Sequence, residues 1–275
     1  MIQLSDPSKR KAAATYNAAA DHFDDAALSF WDRFGRSTVE QLALRPGMSV
    51  LDVACGSGAS ALPAALAVGT SGRVVGIDLA ENLLELGRAK AGRAGLSQLE
   101  FFAADMTDLP FPEESFDVVV CVFGVFFVAD MASLIRGLWS RVKPGGQLAI
   151  TTWGPRLFSP IYEVWKETVR EERPDLYSAF NPWDRITTTE AVEQLFRDAG
   201  IAGVRVLPQE ARHPLATPED WWTIVKGSGF RWTIDQMGPE AAERVRRKNI
   251  AWLDKQGIPS LEVNVIYAVA DKLGH

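Results

Sequence analysis

Residues Ser49 to Ser60 read Ser-Val-Leu-Asp-Val-Ala-Cys-Gly-Ser-Gly-Ala-Ser. Val50, Leu51 and Val53 make a short apolar run, the pattern of a parallel strand buried on both faces. The run breaks at Gly56-Ser57-Gly58, and Ala61 to Ala67 continue as a helical stretch. Strand, glycine turn and helix form the first half of a nucleotide-binding βαβ unit. Glycine lets the backbone approach a ligand closely because no Cβ intervenes. A lone Gly-x-Gly also fits an ordinary tight turn. Asp52, inside the strand and four positions before Gly56, departs from the dinucleotide pattern.

The neighbouring segments extend the unit. Gly72 to Asp78 reads as a second strand with an acid at its carboxyl end. An acid about 20 residues beyond the glycines accepts hydrogen bonds from ribose hydroxyls. Asp78 is alternatively an N-cap for the next helix, Glu81 to Ala94. A third strand begins at Leu99 and ends at Ala104-Asp105. Ser115 to Cys121 is a fourth, apolar after its first acid. Leu134 to Val142 reads as a helix, closed by the turn Lys143-Pro144-Gly145-Gly146. Gln147 to Trp153 is the fifth strand.

Taken together, Asp52-Val-Ala-Cys-Gly56-Ser-Gly58, Asp78, Asp105 and the Ser115–Cys121 strand resemble the motifs of class I S-adenosylmethionine (SAM)-dependent methyltransferases, in the right order and each at a strand end. The segment Tyr16 to Asp24 resembles the N-terminal lid helix of the ubiquinone/menaquinone-biosynthesis (type 11) members. The string Arg141-Val-Lys-Pro-Gly-Gly-Gln-Leu148 resembles their approach to strand five. The resemblance covers about Tyr16 to Trp153 and, more loosely, Thr187 to the C-terminus. It implies SAM, with S-adenosylhomocysteine as product, held by Tyr16, Asp52, the turn Ala54-Cys55-Gly56 with Gly58, Asp78-Leu79, Asp105-Met106 and the backbone at Cys121. In the resembled family the acid matching Asp105 receives the adenine amino group, and the backbone near Cys121 meets the methionine amino group. Many relatives carry His-His where this chain has Phe126-Phe127, which removes one candidate base and makes that wall aromatic.

The rest of the chain reads more loosely. Asp6 to about Phe30 reads as one helix and Ser37 to Leu44 as a second. Prolines 155, 160, 174 and 182 punctuate residues 154–186, read as an inserted cap with a helix starting at Ser159-Pro160. Trp153, Tyr162, Trp165 and Trp183 are its candidate lining, and Phe126, Phe127, Trp153 and Trp183 are the expected acceptor contacts. Thr187-x-x-Glu190 fits a capping box. Gly203 to Leu215 reads as a sixth strand, Pro218 to Lys226 and Pro239 to Asp254 as helices, and Ser260 to Ala270 as a last, antiparallel strand. Arg244, Arg246, Arg247 and Lys248 read as a solvated face.

The chain has 275 residues, 47% hydrophobic and 23% charged, with net charge −6, nine Trp and two Cys. This is a globular balance whose sign argues against a general nucleic-acid binder. Cys55 and Cys121 offer neither disulfide nor metal spacing. No apolar run reaches membrane length, so a cytoplasmic protein, monomer or homodimer, is expected.

The expected fold is a Rossmann-like, seven-stranded α/β sheet with helices on both faces and its last strand antiparallel. Residues 1–45 would be a lid, 46–153 the SAM-binding core, 154–186 the cap and 187–275 the remaining sheet and helices of a single methyltransferase domain. The expected reaction is methyl transfer by SN2 to an O, N or C nucleophile of a small, largely apolar or aromatic acceptor, with no metal. His22 and His213 are weak candidates for a base. An NAD(P) oxidoreductase and a non-catalytic SAM-binding module stay as alternatives.

Overall fold

The computed structural model describes residues 6–274. Its elements are α1 (Pro7–Ala19), α2 (Phe30–Glu40), β1 (Ser49–Val53), α3 (Ala61–Val68), β2 (Arg73–Asp78), α4 (Glu81–Arg93), β3 (Leu99–Ala103), β4 (Phe116–Val122), α5 (Met131–Arg141), β5 (Val142–Trp153), α6 (Ile161–Glu172), α7 (Thr189–Asp198), β6 (Arg205–Gln209), β7 (Arg212–Pro214), α8 (Glu219–Lys226), α9 (Arg231–Met237), α10 (Pro239–Gln256), β8 (Ser260–Glu262) and β9 (Val265–Asp271). Seven strands form one sheet in the order β3-β2-β1-β4-β5-β9-β6. β1 to β5 run parallel, and β9 inserts antiparallel between β5 and β6.

Side chains alternate across the sheet, as strand geometry requires. Leu51, Val53, Val75, Ile77 and Val119 join the larger core with α2, α5 and α7. Val50, Val74, Val118 and Val120 join the other core with α3 and α4. Both faces are thus covered, which explains the continuous apolar runs of the central strands. The strand order reverses between β1 and β4, where Val53 pairs with both Ile77 and Cys121. Ligands of open α/β sheets bind at the carboxyl ends of the strands beside such a switch point.

Several expected boundaries are corrected. The helix expected over 6–30 stops at Ala19, and a 3₁₀ turn over Ala26–Leu28 leads into α2. The break lets Asp24 reach Ser57 and Lys90, at 2.7 and 2.9 Å. α2 begins at Phe30, earlier than Ser37. β5 begins at Val142, so the Pro-Gly-Gly segment lies within an irregular strand start. The cap of α7 is Thr188, accepting from the Ala191 amide at 3.2 Å, one residue after Thr187. α6 starts after Pro160 and has no side-chain cap, so Ser159 does not act as one.

The sixth and last expected strands each split in two. β7 and β8 leave the main sheet to form a ribbon. The Asn264 side chain holds this split, accepting from the Ala211 amide at 2.9 Å and donating to the Pro155 carbonyl at 3.0 Å. Residues 154–186 do not form the upper layer alone. α6 packs against α10, and Asn249 of α10 joins Trp221 of α8 to Thr168 of α6 through buried hydrogen bonds of 2.9 and 2.8 Å. The basic face of α10 is ion-paired, Arg244 and Lys248 with Glu172 and Arg246 with Glu219.

Candidate active site

The chain leaves β1 through a left-handed step. Ala54 has φ 56°, Gly56 53° and Gly58 91°. The turn is held from three sides. The Cys55 amide donates to the Ile77 carbonyl at 3.0 Å, the Gly58 amide to the Cys55 carbonyl at 2.8 Å, and the Gly56 amide to Asp78 Oδ2 at 2.9 Å. Asp78 Oδ1 accepts from the Ala80 amide, also at 2.9 Å. Each Asp78 oxygen therefore has one protein donor and capacity for another. Burial pushes the Asp78 carboxyl up, and the three backbone amides of Ala80, Gly56 and Leu79 oppose that. Asp78 thus shapes the turn and the loop before α4, whose own N-cap Ala80 makes no side-chain bond.

Gly56 and Gly58 play different parts. A Cβ on Gly56 would stand 3.5 Å from the Phe23 ring, inside the cavity wall. A Cβ on Gly58 would lie 2.3 Å from Leu62 Cδ1 and 3.0 Å from Phe101, within the packing under the turn. The expectation that Gly58 guards ligand access is therefore corrected: it permits the turn and the seating of α3. Asp52 lies below the same turn, 1% exposed. Its Oδ2 accepts from Ser60 Oγ at 2.6 Å, while its Oδ1 is buried without a partner. Burial, against the Ser60 bond, pushes its carboxyl up to about 7.

Beyond the turn the cavity becomes aromatic. Phe123, at the end of β4 with φ 53°, stacks on Trp153 at the end of β5, centroids 3.9 Å apart. Trp31 stacks on Phe23 at 5.3 Å and meets Phe123 and Trp153 at 5.6 Å. Tyr16 stands edge-on to Phe127 at 5.8 Å, and Trp183 edge-on to Phe126 at 6.0 Å. Phe230, just before α9, reaches Phe158, Tyr162 and Trp183 within 6.3 Å. Arg185 ties the upper layer to the loop after β4, donating to the carbonyls of Phe126 and Val128 at 2.8 Å and of Ala129 at 3.0 Å.

α1 closes the cavity with Ala12, Ala13 and Tyr16. It is fastened at both ends. Lys9 Nζ pairs with Asp105 at 2.7 Å, and Asn17 exchanges two hydrogen bonds with Asn82 at the start of α4, at 2.9 and 3.0 Å. Burial pushes the Asp105 carboxyl up, but Lys9 and Thr107 outweigh it and hold it below the ordinary carboxylate value.

One cavity, with about 1170 Å³ of free space partly open to solvent, thus joins the glycine turn to the aromatic chamber. Of the residues expected at the site, Tyr16, Ala54, Cys55, Gly56, Asp78, Leu79, Met106, Phe126, Phe127, Trp153 and Trp183 line it. Asp52, Gly58, Asp105 and Cys121 are not among the lining residues. At the end of β4 the wall is made by Val122 and Phe123 in place of Cys121, whose thiol is fully buried and pushed up to about 12. Burial likewise pushes the Cys55 thiol well up, which disfavours the reactive thiolate at both cysteines.

The base role considered for the histidines is corrected by their positions. His22 pairs with Asp25 at 2.8 Å, and His213 lies buried with Nε2 bonded to the Ala27 carbonyl at 2.9 Å. Neither lines the cavity. Phe23, Trp31, Phe123, Phe158, Phe230 and Arg185 were not expected at the site. They come from separate loops and helix ends, and the sequence pointed to an aromatic wall only through Phe126-Phe127 and the tryptophans of residues 153–183.

A switch-point cavity with a glycine turn and an acid ending β2, in a sheet with an antiparallel strand between β5 and β6, defines the methyltransferase class of α/β proteins. The ubiE/COQ5 methyltransferase family matches residues 10–172, and the chain belongs to it. SAM is accordingly its cofactor, and methylation of a small molecule its activity. A demethylmenaquinone methyltransferase of Listeria monocytogenes is 37% identical over 187 residues, 64% of this chain and 78% of that protein. Nocamycin O-methyltransferase of Saccharothrix syringae is 29% identical over 248 residues, 84% of this chain and 88% of that one. Among solved structures, a Haemonchus contortus phosphoethanolamine N-methyltransferase 2 in complex with S-adenosylhomocysteine superposes with TM-score 0.60 at 17% identity, covering 98% of this chain and 60% of that chain. That likeness concerns the fold.

Proposed function

We propose that the glycine-turn end of the cavity takes SAM and the aromatic end takes a small, flat, largely apolar acceptor. The observation that carries this reading is the continuity of the two ends in one cavity under α1. The donor set suits the cofactor. Asp78 offers one free acceptor position on each oxygen to a ribose diol, and Gly56 leaves backbone exposed where a Cβ would intrude. Leu79 and Met106 supply apolar surface for the adenine ring. Asp52, buried below the turn and bonded to Ser60 Oγ, steadies the backbone that would face the methionine end. Asp105 Oδ2 takes one bond from Lys9, so an adenine amino group would share that oxygen with the lid.

The bound cofactor supplies a methyl group activated by a positively charged sulfur. What remains for the chain is to hold the acceptor in line and keep water out. The stacked pair Phe123–Trp153 and the rings of Phe126, Phe158 and Phe230 give that end apolar contact area, worth roughly 25 cal/mol per Å² buried. The Saccharothrix relative spans more of this chain than the Listeria one and extends beyond β5, which supports an oxygen acceptor.

Asp78→Ala tests the cofactor end. Each hydrogen bond to a charged group contributes about 1.5–3 kcal/mol, so S-adenosylhomocysteine affinity measured by calorimetry should fall at least about tenfold. Unchanged affinity would remove Asp78 from the site. Turnover with phenols, enols and quinols by the wild-type chain tests catalysis and separates an enzyme from a binding module.

A further inference from the structure

Arg185 is not among the cavity-lining residues, yet its guanidinium grips the backbone of two segments that supply them. One is its own 3₁₀ turn, Pro182–Ile186, which carries Trp183; Nε donates to the Pro182 carbonyl at 3.1 Å. The other is the loop of Phe126 and Phe127. There Nη2 donates to the carbonyls of Phe126 and Val128 at 2.8 Å, and Nη1 to that of Ala129 at 3.0 Å. A planar fork of fixed donors suits such a bridge. The loop is otherwise held at its two ends. The Phe127 amide donates to the Gly124 carbonyl at 3.1 Å, and Asp130 accepts from the Ser133 amide at 2.9 Å as the cap of α5. Across the bridge, Phe126 meets Trp183 edge-on at 6.0 Å. Apolar contact is non-directional, so the directional bonds of Arg185 are what set how these rings stand.

We infer that Arg185 is a positioning residue for methyl transfer: by clamping the Trp183 turn to the Phe126–Phe127 loop, it fixes the separation of two walls of the acceptor end. This rests on the two-ended reading of the cavity given above. In-line transfer is sensitive to such placement, since a misplacement of about 1 Å can cost about a hundredfold in rate. The effect is confined to the acceptor, because the four bonds of Arg185 end on Pro182, Phe126, Val128 and Ala129, away from the glycine turn and Asp78. Arg173 provides the contrast. It fastens the same upper layer elsewhere, donating to the Gln236 carbonyl at 2.7 Å and pairing with Asp175 at 2.7 Å, and neither it nor those partners line the cavity.

The test compares the full wild-type chain with Arg185→Ala, Arg185→Lys and Arg173→Ala. N-phenyl-1-naphthylamine, an apolar fluorophore whose emission rises when it leaves water, is titrated into each chain saturated with S-adenosylhomocysteine. S-adenosylhomocysteine affinity is measured in parallel by calorimetry. Arg185→Ala should weaken the fluorophore about tenfold, the size of one lost charged hydrogen bond, and S-adenosylhomocysteine by less than about twofold. Arg185→Lys keeps the charge and up to three donors but not the fork, so it should recover part of the loss, to about threefold weaker than wild type. It also carries the test if Arg185→Ala does not fold. Arg173→Ala should lower the melting temperature and leave fluorophore affinity within about twofold. Unchanged fluorophore affinity in the Arg185 variants, an equal loss of both ligands, or the same fluorophore loss in Arg173→Ala would overturn the inference. Failure of the fluorophore to bind the wild-type chain would instead overturn the reading of the aromatic end, and failure of S-adenosylhomocysteine to bind that of the glycine-turn end.

Discussion

Asp52 was legible as a departure from the dinucleotide pattern, but its environment was not. It is a buried carboxyl with one bonded and one unbonded oxygen. Its pKa in the fold is about 7 against an ordinary 3.8, so the folded state holds the proton more tightly than the unfolded one. Well below pH 3.8 both states are protonated and nothing is lost. As pH rises from about 4 to 7 the unfolded chain ionises first, and stability falls through that window. Asp52→Asn should therefore gain stability relative to wild type as pH rises, by up to about 4 kcal/mol above pH 7. Urea unfolding at pH 5 and pH 8 checks this, and an equal difference at both values would show that Asp52 does not titrate there. Gly58 is the other residue whose meaning changed. Its φ of 91° and the clash with Leu62 predict that Gly58→Val loses roughly 2–4 kcal/mol of stability, with the folded fraction still binding S-adenosylhomocysteine. Normal melting combined with lost binding would restore an access role.

At the scale of elements, α1 carries the testable feature. It is held to the cavity rim by Lys9–Asp105 and by the Asn17–Asn82 pair. A partly exposed ion pair contributes about 0.5–1 kcal/mol. Lys9→Met should therefore raise amide exchange in α1 and speed S-adenosylhomocysteine release by about two- to fivefold, readable by hydrogen exchange and stopped-flow fluorescence. A release rate equal to wild type would show that α1 does not gate this end. The elements themselves were unevenly legible. β1, β2, β4, α3 and α4 were readable because fully buried strands and an amphipathic helix leave dense local signals. The break after Ala19 was missed although Asp21 to Asp25 are weak helix formers, and the bonds of Asp24 to Ser57 and Lys90 that hold the bend are distant in sequence. α9 was missed for a related cause: its Arg231 is anchored to Asp21, 210 positions away in sequence.

Across the whole molecule, the sequence by itself determined the five parallel strands and the glycine turn. The signals there are short: glycine beside strand, acid at strand end, Pro-Gly-Gly before a strand. Each reports a backbone conformation or a single side-chain role dictated within a few residues. Phe126, Phe127, Trp153 and Trp183 were named from sequence, but only the tertiary structure gathered them with further rings into one chamber. Trp31 comes from α2, Phe123 from the loop after β4, Trp153 from β5, Trp183 from a 3₁₀ turn and Phe230 from the loop before α9. Each ring taken singly reads as core, and apolar contact has no direction or spacing to betray a shared chamber. The same holds for the ribbon split by Asn264 and for the layer in which Asn249 joins α6, α8 and α10. Such long-range partners are chosen by the packing of finished elements, and a linear pattern records them only as isolated polar residues in apolar surroundings.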